Sequence, residues 1–343
     1  MSKRTAIIGA GAIGGVVGGL VSKAGYDVTL VDQWPEHVDA IKKNGLLVST
    51  RTGEHQTSPK ALHIHELQGV SEPFDMAFVA VKSYDTEWAT TLMLRYVKPD
   101  GVFVDFQNGI NDERVAAIAG KERTLGCVIT ISSGCYEPGK VVRTDTNTHG
   151  FKIGEQDGSD TPRARELVDM INNVAETSLT TNLWGERWSK LMVNCMNNAQ
   201  AGLTGYGTAE VRTRPDTMRI GIQIAAEVVR VGRAHGKTLG SVMGLSPDAI
   251  VDAAEGRNIE DVEMALMETA RHAGSEGRPS FLQDVMKCRR TEIDFLNGYV
   301  SEFGRKAGVP TPFCDKITEI VNGLGVGFKS DPRHIQPLIE MLP

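Results

Sequence analysis

Cysteine is sparse in this chain of 343 residues: the five thiols, at 127, 135, 195, 288 and 314, show neither C-x-x-C spacing nor an even framework. That excludes a disulfide scaffold and reads as reduced thiols in a cytosolic protein. An excess of positive charge is also missing, since 37 lysines and arginines face 43 acidic residues for a net charge of −6. The chain therefore has no electrostatic case for nucleic acid or an anionic membrane. Beyond the first residues no apolar run has the length of a membrane helix, and there are no repeats or low-complexity tracts. What is present, 41% hydrophobic and 23% charged residues, is the composition of an ordinary soluble protein. At this length two domains are expected, and a cytoplasmic location.

The N-terminus has the outline of a secretory signal, with Lys3 and Arg4 before an apolar run over 5–21. Glycines crowd that run and a strand pattern follows it, so it reads as folded structure. Thr5 to Ile8 is a short β-rich run, and Gly9-Ala10-Gly11-Ala12-Ile13-Gly14 follows it, leading into a helix of small residues to about Ala24. This is G-x-G-x-x-G in its required setting of strand, tight turn and helix. Gly9 allows the turn, Gly11 lets backbone approach a pyrophosphate, and Gly14 lets helix and sheet pack closely. The helix N-terminus at Ala12, Ile13 and Gly14 offers N–H groups to the anion. A glycine-rich turn without a ligand is the plainer alternative. Asp32 closes the second strand roughly 20 residues on, where a carboxylate accepts ribose hydroxyls and repels a 2′-phosphate. Gln33 and Trp34 add no cation. NAD(H) is favoured, with NADP(H) still possible.

A helix is expected over 35–44, then short strands over 46–51 and 62–65. His63 and His65 alternate on the second of these, which on its own suits an exposed strand face better than a metal. Residues 76–81 form an apolar run of the buried-parallel kind with Lys82 at its end, and 102–106 form another, followed by Gln107-Asn108-Gly109. Ligands in such sheets bind beyond the carboxyl ends of strands, where Lys82 and Asn108 fall. A charged strand end and an Asn-Gly turn explain each residue singly. A strand over 123–131, a hairpin over 135–153 turning at Pro138-Gly139, a helix over 163–174 and a strand over 178–181 complete a first domain of residues 1–182. From 183 to 343 the periodicity is helical: the opening helix, then 215–235, 247–255, 259–273, 281–307 and 312–324.

In the opening helix Lys190, Asn194 and Asn198 recur at i, i+4 and i+8. They make one polar stripe that drifts by about 40° per step. Trp188, Leu191, Met192 and Val193 mark the helix as core-packed, where an ammonium and two amides need partners; a solvated stripe is the alternative. Ser280, with Gln283 three residues on, fits a capping box, and Glu292 fits a surface ion-pair row.

Taken together, GAGAIG at 9–14, VAVKSYDT around Lys82, QNG at 107–109, RWSKLMVNCMNN at 187–198, SFLQDV at 280–285 and RRTEIDFLNGY at 289–299 resemble the ketopantoate reductase (2-dehydropantoate 2-reductase) family. The resemblance implies an α/β fold: an N-terminal Rossmann-like doubly wound sheet plus an all-helical C-terminal domain like that of 6-phosphogluconate dehydrogenase. It implies an interdomain active site and a homodimer. It makes Lys190 the general acid, puts Asn194, Asn198 and Ser280 around the substrate, and Asn108 and Lys82 beside the nicotinamide ribose and substrate. Glu292 stands where cofactor, substrate and lysine meet. The expected reaction is NAD(P)H-dependent reduction of a 2-oxo acid, ketopantoate first. A D-2-hydroxy acid dehydrogenase for bulkier or aromatic acids and a non-catalytic dinucleotide sensor are the alternatives. Asp32 stands where many members have a basic residue, marking a subgroup with an acidic strand end. The stretch 239–279 and the tail after Leu324 are longer than in compact members.

Overall fold

Runs rich in valine, isoleucine and phenylalanine become the central strands of the N-terminal unit, where a parallel sheet needs both faces apolar. The computed structural model describes residues 3–145, 148–273 and 278–343, and contacts divide the chain into two units, Met1–Leu183 and Trp184–Pro343. The first holds strands β1 (Arg4–Ile8), β2 (Asp27–Asp32), β3 (Leu46–Thr50), β4 (Gly53–Thr57), β5 (Lys60–His63), β6 (Phe74–Val79), β7 (Val97–Asp105), β8 (Thr124–Ile129), β9 (Ser133–Glu137), β10 (Lys140–Arg143), β11 (His149–Glu155) and β12 (Glu176–Leu179). The larger sheet runs β12-β11-β8-β7-β6-β1-β2-β5. It is parallel except where β11 lies against β8. The chain steps outward from β1 to β2 and β5, then returns to the other side of β1 with β6. The strand order thus reverses between β1 and β6, the place where open α/β sheets take ligands.

The smaller sheet, β4-β3-β10-β9, accounts for the glycine density of helix α1 (Ala12–Lys23), which lies between the two sheets. A Cβ at Gly18 would come within 2.5 Å of Leu30 in the larger sheet. On the other side, Cβ atoms at Gly15 and Gly19 would come within 2.7 Å of Val141 and 2.6 Å of Val48 in the smaller one. Glycine on two helix faces therefore lets one helix serve two sheets. Helices α2 (Pro35–Asn44), α3 (Thr86–Met93), α4 (Asp112–Ala119) and α5 (Pro162–Ile171) pack on the larger sheet.

Three local expectations change in this unit. β4, sequence GEHQT, carries no apolar alternation and shows in the fold only through its antiparallel pairing with β3. β5 ends at His63, while His65 sits in a 3-10 turn, so the two histidines do not share a strand face. Their rings stack at 5.4 Å and His63 Nε2 lies 2.8 Å from Asp39; among the described residues no cluster of His, Cys, Asp and Glu could hold a metal. The hairpin expected over 135–153 is confined to β9 and β10, because Phe151 and Ile153 are buried by β11 joining the larger sheet. Residues 146–147 lie outside the described residues.

The described part of the second unit is helical apart from a single bridge between Val242 and Leu245. It comprises α6 (Leu183–Thr204), α7 (Thr208–Thr213), α8 (Pro215–Ala234), α9 (Pro247–Ala254), α10 (Ile259–Ala273), α11 (Ser280–Met286), α12 (Asn297–Ala307), α13 (Pro312–Leu324) and α14 (Gln336–Ile339). No described helix is long and apolar enough to cross a membrane. The short α7 carries too few periodic positions to read from sequence. Residues 281–307, expected as one helix, are broken. α11 stops at Met286, where Cys288 takes a left-handed φ of 51°. The Arg289 N–H bonds Asp284 O at 2.9 Å and the Cys288 N–H bonds Val285 O at 3.0 Å. This is a Schellman closure, with cysteine where glycine usually stands. The capping box does not form either: Pro279 takes the N-cap position and Ser280 is the first helical residue. The longer stretch 239–279 contributes α9 and α10, and its residues 274–277 lie outside the described residues.

A buried carboxylate closes the unit's interior. Glu227 on α8 is 3% exposed, and its oxygens accept the Phe313 and Cys314 N–H groups at 2.8 Å each. These are first-turn donors of α13 that would otherwise lack partners. Burial outweighs those bonds and pushes its pKa from 4.5 to about 7. Because the folded value is raised, the stability this group contributes is complete below pH 4.5 and is lost as pH rises to about 7. At 1.36 kcal/mol per unit the loss is at most about 3 kcal/mol. A melting-temperature series across that window should fall in the native chain, and Glu227→Gln should flatten its slope. An identical slope in the variant would rule Glu227 out as the source.

Candidate active site

The glycine turn after β1 is built by exclusion. Gly9 has φ +99°, and a Cβ there would meet the Ala80 backbone at 2.7 Å. A Cβ at Gly14 would fall on the Gly9 carbonyl oxygen. Gly11 differs, because a Cβ there would find nothing within 4 Å. No neighbour requires glycine at position 11, so the bare backbone faces open space at the N-terminus of α1, beside the first amides of Ala12, Ile13 and Gly14. Such a terminus suits an anion.

Asp32 ends β2 beside this turn. Its Oδ2 accepts the Ala10 N–H at 2.6 Å and its Oδ1 accepts the Trp34 N–H at 2.8 Å. The carboxylate is therefore held in place before any ligand arrives. Each oxygen retains a second lone pair for a hydroxyl donor.

Past the ends of β6 and β7 a polar network joins two loops. Lys82, half-buried, lies three residues beyond β6 and caps a 3-10 turn over Ser83–Asp85. Gln107 Nε2 donates to Val81 O at 2.7 Å. The Asn108 carbonyl accepts from Asn111 Nδ2 at 3.0 Å and from Ser83 Oγ at 3.3 Å. Arg114 then bonds Ser83 O at 2.7 Å and Asn111 Oδ1 at 2.8 Å. Ser83, Gln107 and Asn111 are all buried. The loops carrying Lys82 and Asn108 are thus fixed as one wall at the strand-order reversal.

In the second unit α6 is buried nearly all round. Trp188, Leu191, Met192, Cys195 and Met196 fill the apolar faces, and Asn194 and Asn198 are 4% and 8% exposed in line with a half-buried Lys190. Two segments pack against this helix. Asn297 Nδ2 donates to Cys195 O at 3.3 Å, which ties the start of α12, five residues past Glu292, to α6. A Cβ on Gly202 would collide with the Phe281 ring, so α11, which begins at Ser280, lies one turn past Asn198. Glu292 is itself buried, at 5% exposed. Lys190, Asn194, Asn198, Ser280 and Glu292 therefore belong to α6 and the two segments packed on it.

Residues 5–158 match the family described as Ketopantoate reductase PanE/ApbA, and residues 182–325 match its C-terminal counterpart. The chain belongs to the ketopantoate reductase family. A 2-dehydropantoate 2-reductase of Archaeoglobus fulgidus is 29% identical over 328 residues, covering 95% of this chain and 99% of that one. The solved 2-dehydropantoate 2-reductase of Geobacter metallireducens superposes with TM-score 0.79 at 24% identity, covering 93% and 99%. D-mandelate dehydrogenase, solved with NADH and anilino(oxo)acetate, gives TM-score 0.79 at 24% identity over 93% and 97%.

Against that family background, four residues escape sequence reasoning. Ser83 and Asn111 hold the Asn108 loop, but nothing in their spacing says so. Arg212 on α7 reaches Asn197 Oδ1 and Thr269 Oγ1, each at 3.4 Å, and burial lowers its pKa. His37 is completely buried beside Ala10; its place in a short amphipathic helix gave no sign of that.

Proposed function

We propose that the chain reduces a 2-oxo acid to a 2-hydroxy acid with NAD(P)H, with ketopantoate as the leading substrate. The observation that carries this reading is the half-buried Lys190 aligned with two buried amides on α6, in a ketopantoate reductase family chain whose other unit keeps an open glycine turn. The turn from Gly9 to Gly14, with Ala12 and Ile13, would hold the pyrophosphate. Asp32 would accept the adenosine ribose hydroxyls, and Lys82, Asn108 and Glu292 would stand at the nicotinamide end. When bound, the cofactor supplies a hydride. Lys190 holds a proton at the carbonyl oxygen, where negative charge develops, and delivers it there. Asn194, Asn198 and Ser280 donate neutral hydrogen bonds that hold and orient the acid. Glu292, a buried carboxylate, keeps the lysine charged. A homodimer forms part of the same reading.

The carboxylate of Asp32 supports NADH over NADPH, because a 2′-phosphate would meet a fixed negative charge. Asp32→Ala should lower the ratio of kcat/KM for NADH over NADPH by about tenfold, the equivalent of about 1.4 kcal/mol. It should also lower the melting temperature, since Ala10 and Trp34 lose an acceptor. A wild type that already prefers NADPH would refute the argument. The reaction itself is tested by a steady-state screen of aliphatic and aromatic 2-oxo acids with each cofactor, following absorbance loss. Cofactor binding with a flat response to every acid would favour a sensor over an enzyme.

A further inference from the structure

His37 has no place in the set of residues assigned above, yet it grips the turn they depend on. Its ring is 0% exposed and stacks on Trp34 with centroids 5.2 Å apart. The Gly139 N–H, in the turn between β9 and β10, donates to Nδ1 at 3.0 Å. Nδ1 therefore carries no proton, Nε2 carries it, and Nε2 donates to the Ala10 carbonyl at 3.0 Å. Ala10 is held at both backbone groups, because Asp32 takes its N–H.

The geometry of the peptide unit gives this clamp a direction. In a trans peptide the carbonyl of one residue and the N–H of the next point opposite ways. Pinning the Ala10 carbonyl on His37 thus aims the Gly11 N–H away from the histidine, and Gly11 is the residue at which an added Cβ would meet nothing within 4 Å. We propose that His37 is a positioning residue for the dinucleotide: its neutral ring fixes the Ala10–Gly11 peptide so that the Gly11 N–H meets an anionic pyrophosphate, and protonating the ring undoes that arrangement. The inference rests on the dinucleotide reading above and extends it to a residue that touches no ligand.

Protonation would place a second N–H, on Nδ1, against the Gly139 N–H, donor facing donor. The tie to Gly139 must then break, and the ring loses the anchor that seats it against the Ala10 carbonyl. Burial outweighs both the Ala10 carbonyl bond and the Asp32 charge and holds the ring below its usual 6.5. The contribution is therefore intact above pH 6.5 and is lost as pH falls through the folded value. Of the groups around the ring, Asp32 is the charged one it feels. Glu36 and Asp39 on α2 and Glu137 on β9 are exposed, and Lys140 on β10 is half-buried.

The test is calorimetric binding of ADP-ribose, which keeps the ribose and pyrophosphate but lacks the acid-labile ring. It is run from pH 8 to pH 5 with apo melting temperatures at each point. For wild type, Kd should hold steady above pH 6.5 and then weaken by up to tenfold per unit below the folded value. His37→Gln keeps a donor toward Ala10 but does not titrate, so its Kd should stay within a few-fold of wild type at pH 8 and remain flat to pH 5. His37→Phe keeps the stacking but has no donor, and should bind about tenfold more weakly at every pH, the loss of roughly one hydrogen bond. A wild-type Kd that is flat to pH 5 in folded protein, or an acid limb that persists in His37→Gln, would overturn the inference while leaving the dinucleotide reading intact. A wild type that binds no ADP-ribose at any pH would overturn both.

Discussion

Lys190→Ala is expected to lower kcat by about a thousandfold while NADH still binds with its native Kd. Positioned proton transfer contributes on the order of a hundred to ten thousandfold, and the same ammonium also offsets charge on the carbonyl oxygen. Apart from Glu292, the residues proposed to hold the dinucleotide lie on the other unit, so the loss should appear in kcat rather than in cofactor affinity. Stability should fall, because the change removes the cation proposed to face Glu292, itself a buried carboxylate at 5% exposed. Lys190→Arg separates the two roles: it restores the cation but holds its proton too tightly to give it up, so kcat should recover only in part. Stopped-flow single turnovers with NADH in excess read the step directly. Turnover near the native value in the alanine variant would remove Lys190 from the mechanism.

The second large effect distinguishes two glycines three residues apart. Gly14→Ala puts a methyl onto the Gly9 carbonyl oxygen, backbone against backbone with no rotamer to yield. The N-terminal unit should lose several kcal/mol, in the upper range for overpacked cores, and expression of folded protein should collapse. Gly11→Ala has nothing within 4 Å to meet. Its melting temperature should match wild type within a degree or two, while Kd for NADH weakens by about a hundredfold, because the new methyl occupies the space where phosphate oxygens must approach. Equal damage to stability from both variants, or undiminished NADH affinity in Gly11→Ala, would show that the open space is not the cofactor's.

The sequence carries those parts of the fold whose cause is local. The strand, turn and helix from Arg4 to Lys23, the second strand ending at Asp32 and the helix Pro35–Asn44 were all legible, since apolar runs, glycines and proline sit where backbone geometry demands them. The stripe of Lys190, Asn194 and Asn198 was legible for the same reason: helical spacing puts them on one face. Legibility failed wherever tertiary pairing decided the outcome. GEHQT becomes a strand because β3 needs a neighbour, and residues 281–307 break because Cys288 closes α11 with a conformation that no rule assigns to cysteine. His37 was invisible because its meaning depends on Ala10 and Gly139, the latter more than a hundred positions away and brought back by the smaller sheet.

That smaller sheet changes how helix α1 breathes. With glycines in close contact with both sheets, α1 cannot tilt toward solvent by shedding one interface, as a helix lying on a single sheet can. Its central amides, from Val16 to Leu20, should exchange with deuterium only when the whole N-terminal unit opens, at rates matching the slowest strands, β1 and β6. The segment proposed to greet the cofactor would then be among the last parts of the molecule to loosen.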